Sequence, residues 1–300
     1  MRRARVVVSV VLLSLVGWTS ADAAGSHANQ VQAAHKPPKD TCGATITKPD
    51  GTKWVCTFDD EFSGSTLDRT KWIPQTEGFS TGSDGAYACY VDNPANINVS
   101  GGTLNLSVVK LPAPVPCASR PKLGMSPYTS GMVSTYHLFG QQYGRFEARL
   151  KVTATVPAGL PGLQETFWLW PDDRTGVIVP WPAGGEMDIA ELYSYAPDNN
   201  IPYLHYGVVD NGGAVDGMNT SWSCKAKRGE FNTYTLEWSP GRIEILVNGV
   251  SCLVNTSADA AFQKPYIAAF TQALGTGDNS YDGRIPLPAT MSVDYFRVWQ

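Results

Sequence analysis

Short runs of β-favouring residues, separated by turn residues, recur at short intervals along the chain from residue 42 onward. Apolar and polar positions alternate within many of these runs, which is the period of a half-buried strand. Clusters such as Ser100-Gly101-Gly102 and Asn248-Gly249 separate neighbouring runs and favour tight turns. No segment shows a convincing long helical period. The predicted strands span 54–58, 97–100, 103–109, 131–136, 143–152, 166–170, 186–193, 203–209, 233–238, 242–247, 266–272 and 291–299.

About a dozen strands without a long helix predict an all-β fold, a sandwich of two antiparallel sheets. No Pro/Ser-rich linker divides residues 42–300 and no internal repeat is visible, so we expect a single domain there. The composition agrees, because 17% charged residues with 29 Gly and 21 Pro suit strands and turns better than helix bundles.

The first 41 residues follow a different pattern. Three arginines precede an apolar run over 6–18, and Ala21-Asp22-Ala23 provides a small-x-small cleavage pattern. The alternative is a retained membrane anchor, but the run has roughly two-thirds of the ~20 apolar residues that cross a bilayer. We therefore predict a signal peptide over 1–23, a flexible linker over 24–41 and a secreted protein without a membrane segment.

The charge distribution excludes one class of partner. The net charge is −4, and no block of Lys or Arg occurs after the N-terminus. A nucleic-acid-binding protein would carry a basic patch, so we expect no nucleic-acid partner. We expect a soluble monomer.

The chain contains six cysteines, at positions 42, 56, 89, 117, 224 and 252. An even number in an exported chain indicates disulfides, although six cysteines allow 15 connectivities. We predict sequential pairing: Cys42 with Cys56, Cys89 with Cys117, and Cys224 with Cys252. No CxxC or HExxH motif occurs, which disfavours a zinc site, and we predict no metal ligands.

The segment Glu186-Met187-Asp188-Ile189-Ala190-Glu191 contains the best chemical signal. In a regular strand Glu186 and Asp188 share a face, while Glu191 points away. A β-bulge at Ile189-Ala190 would restore the parity and place all three carboxylates together. Side chains leaning toward each other could then bring Glu186 and Glu191 to about 5 to 6 Å, as in a retaining glycosidase.

The carboxyl groups of such a cluster can take different roles in glycoside hydrolysis. Burial and like charge would raise the pKa of Glu191 and make it a proton donor, while Glu186 stays ionised as nucleophile. Asp188 would orient Glu186. Two alternatives are a solvated acidic strand and a calcium site, but the apolar residues between the acids disfavour a solvated strand.

The segment 185–191 resembles the G-E-[I/M]-D-[I/F]-x-E signature of glycoside hydrolase family 16, in its bulged, laminarinase-like form. The resemblance extends in order over nearly all of residues 54–300. Further matching segments are Asp60-Glu61-Phe62-Ser63-Gly64, Tyr128-Thr129-Ser130-Gly131, Tyr143-Gly144-Arg145-Phe146-Glu147-Ala148-Arg149, Phe231-Asn232-Thr233-Tyr234 and Val293-Asp294-Tyr295-Phe296-Arg297-Val298.

The resemblance implies a β-jelly-roll with a concave cleft for an extended β-glucan, and retaining endo-hydrolysis of laminarin-type β-1,3-glucan. It makes Glu186 the nucleophile, Glu191 the general acid/base and Asp188 the assisting carboxylate. No cofactor is required, although a structural calcium ion is frequent in the family, and oxygen donors occur near Glu61 and Asp294. Alternatives are a non-catalytic β-glucan-binding protein and enzymes that act on mixed-linkage glucans or galactans.

Four further residues are predicted to bind substrate. Trp168 and Trp181 can stack on the apolar faces of sugars, His205 can hydrogen-bond the carboxylates, and Gln272 can reach sugar hydroxyls. Each could instead belong to the core. The chain also departs from the family's common GLWPAFW segment, because Gln164-Glu165 replaces a Trp-Pro pair. This departure weakens the assignment of the glycan more than that of a glycosidase.

Overall fold

The computed structural model describes residues 42–77, 80–81, 86–176, 179–207 and 213–300. The predicted signal peptide and the linker lie outside the described residues, as does the end of the strand predicted over 203–209. In the described part of the chain, no helix has the length and apolar character that crossing a membrane would need.

One sheet has six antiparallel strands, and we call it the cleft sheet. Its strands, in spatial order, are β12 (Tyr203–His205), β11 (Glu186–Tyr193), β10 (Leu163–Pro171), β16 (Tyr266–Leu274), β8 (Met132–Ser134) and β2 (Ile73–Pro74). β10 and β11 are interior strands of this sheet, so groups on both strands have neighbours on either side.

The second sheet has eleven strands and covers the other side of the core. Its main path runs through β15 (Val250–Asn255), β14 (Arg242–Val247), β13 (Asn232–Ser239), β9 (Gly144–Val152), β17 (Ala289–Trp299), β6 (Thr103–Pro116), β7 (Met125–Ser130), β4 (Ala88–Tyr90) and β3 (Ser80–Thr81). β1 (Cys56–Asp60) joins β17, and β5 (Ile97–Ser100) joins β6. Short 3₁₀ helices span Pro121–Leu123, Asp173–Thr175, Ala260–Phe262 and Gly277–Asn279.

Aromatic side chains fill the space between the sheets. Phe167 of β10 stacks on Phe270 of β16 with ring centroids 5.0 Å apart, and Phe296 of β17 lies 5.6 Å from each ring. Trp72 completes this group, and its indole N–H donates to Asp60 at 2.9 Å. The predicted two-sheet, all-β jelly-roll sandwich is therefore confirmed, with a core built from both sheets.

Alternation along β10 determines which side chains reach the cleft. Phe167 and Leu169 are fully buried against the second sheet, while Trp168 and Trp170 on the opposite face are partly exposed. This is the period of two that the sequence predicted for the segment.

Three disulfides have the predicted sequential pairing. Cys42 pairs with Cys56, Cys89 with Cys117, and Cys224 with Cys252. The second closes the chain around the β5–β6 hairpin, and the third joins the segment before β13 to β15. The cross-links therefore lie at three separate places in the sandwich.

Candidate active site

The three acidic residues of β11 line one cavity on the outer face of the cleft sheet. The cavity has a volume of about 170 Å³, and Glu186, Asp188 and Glu191 form its floor together with Trp168 and His205. Met187, Ala190 and Leu192 point the other way and are buried in the core. The strand thus separates its carboxylates from its apolar side chains.

A β-bulge brings Glu191 onto the same face as the other two acids. Thr166 of β10 lies opposite Glu191, and Trp168 lies opposite Asp188. Between these two pairs β10 has one residue and β11 has two, because Phe167 faces Ala190 and Ile189 is the additional residue. The predicted bulge at Ile189-Ala190 is confirmed, and it re-aims one side chain at the site, as bulges do.

Asn200 satisfies the backbone groups at this bulge. Its side-chain oxygen accepts from the Glu191 N–H at 3.0 Å, and its amide nitrogen donates to the Ile189 carbonyl at 2.9 Å. Asn200 is fully buried. Sequence reasoning missed this residue, because it lies in a loop nine positions beyond Glu191 and no local motif marks it.

Glu186 lies among groups that act on its charge in opposite directions. Burial raises the pKa of Glu186 well above the ordinary glutamate value, and the negative charge of Asp188 raises it further. His205 and the Trp181 indole oppose this effect, and the indole N–H donates to Glu186 Oε2 at 2.8 Å. The cluster therefore favours a state in which it holds a proton.

His205 lies beside Glu186 and Asp188. It faces Glu186 across the β11–β12 ladder, and its Nε2 atom lies 3.2 Å from Asp188 Oδ2. Its ring stacks on Tyr203 at 4.2 Å and approaches the Trp181 ring at 5.1 Å. Glu186, Asp188 and His205 each offer one ligand atom within 4.8 Å of the others, which is close enough to hold a divalent cation. The same arrangement serves a catalytic carboxylate cluster, and we assign no metal to it.

Glu191 receives two hydrogen bonds on one oxygen. Gln164 of β10 donates to Oε1 at 3.0 Å, and the Tyr193 hydroxyl donates to the same atom at 2.9 Å. Burial raises the pKa of Glu191, while Tyr193, His205 and Gln164 oppose the increase. Sequence reasoning had singled out Gln164 only as a departure from the family pattern, and it had missed Tyr193.

The two predicted sugar-stacking residues, Trp168 and Trp181, have accessible rings near the carboxylates. Trp168 lines the central cavity, and its indole N–H donates to Thr271 at 2.9 Å. Trp181 is 52% exposed although its indole nitrogen contacts Glu186. Trp170 adds a third indole, 5.9 Å from Trp168. These positions suit stacking on sugars, and the contacts themselves stay a prediction.

Gln272 does not reach the cleft, and its prediction as a substrate-binding residue is wrong. Thr271 and Ala273, its neighbours on β16, line the cavity, so Gln272 points to the opposite face and is fully buried. Its amide donates to Glu165 Oε1 at 3.2 Å. Successive residues of a strand face opposite sides, and Thr271 is the one directed at the site.

Glu165 belongs to a buried ion pair behind the cleft. Both of its oxygens accept from Arg228 at 2.8 Å, and the two side chains are 0% and 3% exposed. Arg228 also donates to the Thr153 carbonyl at 3.0 Å. The two residues that depart from the family pattern thus have separate partners, Gln164 in the cleft and Glu165 in the core.

The cleft continues beyond the carboxylates. A cavity of about 300 Å³ lies beside Trp168 and Trp170 and extends to Gln75 and Tyr136. Another, of about 180 Å³, lies between Trp170 and Trp181. The site is therefore one part of a longer groove with aromatic side chains.

The oxygen donors considered for calcium already have cationic partners. Glu61 accepts from Arg297 at 2.6 Å, and Asp294 accepts from Arg149 at 2.5 Å. A structural calcium ion on this side of the sandwich stays a prediction.

Comparison with known proteins agrees with the geometry. The family model described as "Glycosyl hydrolases family 16" matches residues 84–279. The chain belongs to this family. The family 16 match includes five of the six strands of the cleft sheet and all three carboxylates.

Three similar proteins illustrate the relationship. Glucan endo-1,3-beta-glucosidase A1 of Niallia circulans is 27% identical over 269 residues, which cover 81% of this chain and 37% of that protein. Beta-glucanase of Rhodothermus marinus is 27% identical over 266 residues, which cover 82% of this chain and 85% of that protein. The X-ray structure of endo-beta-1,3-glucanase from Pyrococcus furiosus has a TM-score of 0.69 at 23% identity, over 85% of this chain and 97% of that one, and shows the shared fold.

Proposed function

We propose that this protein is a secreted retaining endo-β-1,3-glucanase that acts on laminarin-type glucan. The observation that carries the proposal is the placement of Glu186 and Glu191 on one face of β11, at the floor of a long aromatic groove. Most glycoside hydrolases use a pair of carboxyl groups that flank the scissile bond. A groove that continues past them suits internal positions of a polymer.

The reaction would proceed in two displacements. Glu186 attacks the anomeric carbon while Glu191 protonates the departing glycosidic oxygen, which leaves a glycosyl ester on Glu186. Glu191 then removes a proton from water, and the resulting hydroxide displaces Glu186. Asp188, which is 4% exposed and paired with His205, supplies a second carboxyl group beside the nucleophile. Neither step requires a cofactor.

The raised pKa of Glu191 suits its role, whereas the raised pKa of Glu186 restricts the pH range in which it can act as nucleophile. Burial keeps Glu191 protonated to a higher pH than an exposed glutamate, as a proton donor requires. Glu186 must be ionised to attack, so its raised pKa limits the rate on the acid side. The acidic limb, due to Glu186, and the basic limb, due to Glu191, would therefore both have midpoints above the ordinary glutamate pKa.

The names of related proteins and the surface chemistry of the chain support a glucan substrate, and the disulfides support an extracellular location. One relative is named glucan endo-1,3-beta-glucosidase A1, and another is named beta-glucanase. A net charge of −4 and exposed indole rings suit a neutral polysaccharide better than a polyanion. Three disulfides and the N-terminal apolar run support an extracellular location, because disulfides persist in oxidising compartments.

The test is hydrolysis of laminarin, lichenan and agarose by the purified protein, with reducing ends as the readout. We expect hydrolysis of laminarin, with the β-anomer appearing first by NMR. Glu186→Gln should lower kcat at least about a thousandfold with an unchanged fold, whereas Glu230→Gln, at an exposed glutamate outside the cleft, should not. Binding without hydrolysis would indicate a glucan-binding protein, and cleavage of agarose alone would indicate a galactanase.

A further inference from the structure

The acid/base carboxylate is held from two strands. Gln164 approaches Glu191 Oε1 from β10, and Tyr193 approaches the same oxygen from β11. The two donors face each other across the ladder, and the Gln164 amide lies 3.5 Å from the Tyr193 hydroxyl. Gln164, Tyr193 and Glu191 thus form a closed triangle of polar contacts within the cleft.

The triangle distinguishes the two oxygens of the carboxyl group. Oε1 accepts two hydrogen bonds, so its lone pairs are engaged. A proton on the neutral acid is therefore better accommodated on Oε2. The two donors also fix the plane of the carboxyl group and restrict rotation of the side chain. Proton transfer to the oxygen of a bound substrate requires such a fixed orientation.

We propose that Gln164 and Tyr193 are positioning residues for Glu191, which hold Oε1 so that the proton on Oε2 meets the glycosidic oxygen. They also determine the pH at which Glu191 loses this proton. The proposal rests on the proposed function of the same site. It also explains the departure at position 164, because the glutamine amide supplies one of the two hydrogen bonds.

Other groups near Glu191 also influence its charge. Burial raises the pKa of Glu191, and its hydrogen bonds to Tyr193 and Gln164 together with the nearby His205 oppose that increase. β10 and β16 present only neutral side chains to the cavity. Among the described residues, the other titratable groups that line the cavity are Glu186, Asp188, His205 and Tyr90. Tyr193 donates to Glu191, and Tyr195 lies beside Tyr193, outside the cavity lining.

The first experiment compares Tyr193→Phe and Gln164→Met with the wild type in the pH dependence of kcat/KM on laminarin. Each variant removes a donor to the ionised carboxylate, so the basic limb should move to higher pH by about one unit. Loss of positioning should lower kcat about tenfold with little change in KM. The changes lie on different strands, so a folding defect of one variant does not remove the test.

Tyr195→Phe is the matched control. The Tyr195 ring lies 5.7 Å from that of Tyr193, and 42% of the residue is exposed. Its variant removes a neighbouring phenol without removing a donor to Glu191, so both limbs should stay in place. A rate that falls equally at every pH in the two test variants would overturn the proposal, as would an equal shift in the control.

A second measurement does not depend on activity. The carboxyl carbon of Glu191 is titrated by NMR in protein labelled with ¹³C-glutamate, with Glu191→Gln identifying the signal. Its midpoint should rise in Tyr193→Phe and in Gln164→Met. An unchanged midpoint overturns the proposal even in an active enzyme, whereas failure to hydrolyse any glycan bears on the proposed function alone.

Discussion

At the scale of single residues, the charge of Glu186 is coupled to folding. Its carboxyl group has a raised pKa in the folded protein, chiefly because it is buried and secondly because Asp188 is close. In the unfolded chain the same group has the ordinary value. A group whose pKa rises on folding contributes stability below its unfolded pKa and loses it as the pH rises through the folded one.

Glu186→Gln should therefore stabilise the protein in a pH-dependent manner. The variant and the wild type should unfold alike at pH 4, and the variant should gain a few degrees in Tm at pH 8. In a domain of this size 1 kcal/mol corresponds to about 2–4 °C. Thermal unfolding at both pH values measures the difference.

Glu230→Gln is the control for this stability effect. Glu230 forms an exposed pair with Lys227 at 2.6 Å, so its replacement should change stability by at most about 0.5 kcal/mol at either pH. A gain for Glu186→Gln that is the same at pH 4 and pH 8 would contradict the coupling.

Residue identity in the site was partly accessible from sequence. A regular strand would turn Glu191 away from Glu186 and Asp188, and the expectation that the three acids share a face predicted the bulge. The direction of Gln272 was not accessible, because β16 is buried along its whole length and shows no alternation that distinguishes its two faces. Tyr193 lies two positions beyond Glu191 and therefore on the same face of the strand. The alternation of faces, applied two residues further along, would have predicted its side chain in the site.

At the scale of elements, the bulge in β11 depends on a residue outside the strand. Asn200 bonds the backbone of Ile189 and of Glu191 from the loop that leads to β12. A bulge leaves backbone groups without ladder partners, and a buried unsatisfied group costs about 1–3 kcal/mol. The loop therefore determines where the Glu191 carboxyl group points.

Asn200→Ala should lower kcat more than it raises KM, because it loosens Glu191 and leaves the groove intact. We expect a loss of at least about tenfold in kcat and of about 1–3 kcal/mol in stability. Steady-state kinetics and urea denaturation measure the two effects.

Asn199→Ala is the matched change at the adjacent position. It removes only an exposed hydrogen bond to Lys225, so kcat should stay near the wild-type value. Equal kinetics in the two variants would show that the bulge persists without Asn200.

Strand positions followed the sequence pattern where alternation was regular. The predicted bounds of β5, β11 and β14 match the structure. β15 was missed because its register shifts opposite Ile245 and Leu246, which breaks the alternation, and β4 is only three residues long. Bulges and short strands depend on partners far away in sequence.

At the scale of the whole molecule, the disulfides restrain different lengths of chain. Cys224–Cys252 closes a separation of 28 residues and Cys42–Cys56 one of 14. A cross-link lowers the entropy of the unfolded chain, and the effect grows with the length of the loop.

Replacing Cys224 and Cys252 together by serine should lower the free energy of unfolding by about 3–4 kcal/mol. The same change at Cys42 and Cys56 should cost about 0.6 kcal/mol less, because that loop is half as long. Urea denaturation of both double variants tests the order, and a larger loss from the shorter loop would contradict the entropic explanation.

The Glu165–Arg228 pair has a consequence for how this cleft can change. Replacing Glu165 alone would leave the Arg228 guanidinium buried without its counter-ion, and breaking a buried pair costs about 3–5 kcal/mol. Placing an aromatic-proline pair at positions 164 and 165 therefore requires a second substitution in another segment, 63 residues away. Arg228 or its surroundings must therefore change together with Glu165. A change of the cleft at these two positions is thus epistatic, and its first constraint lies in the core behind the cleft.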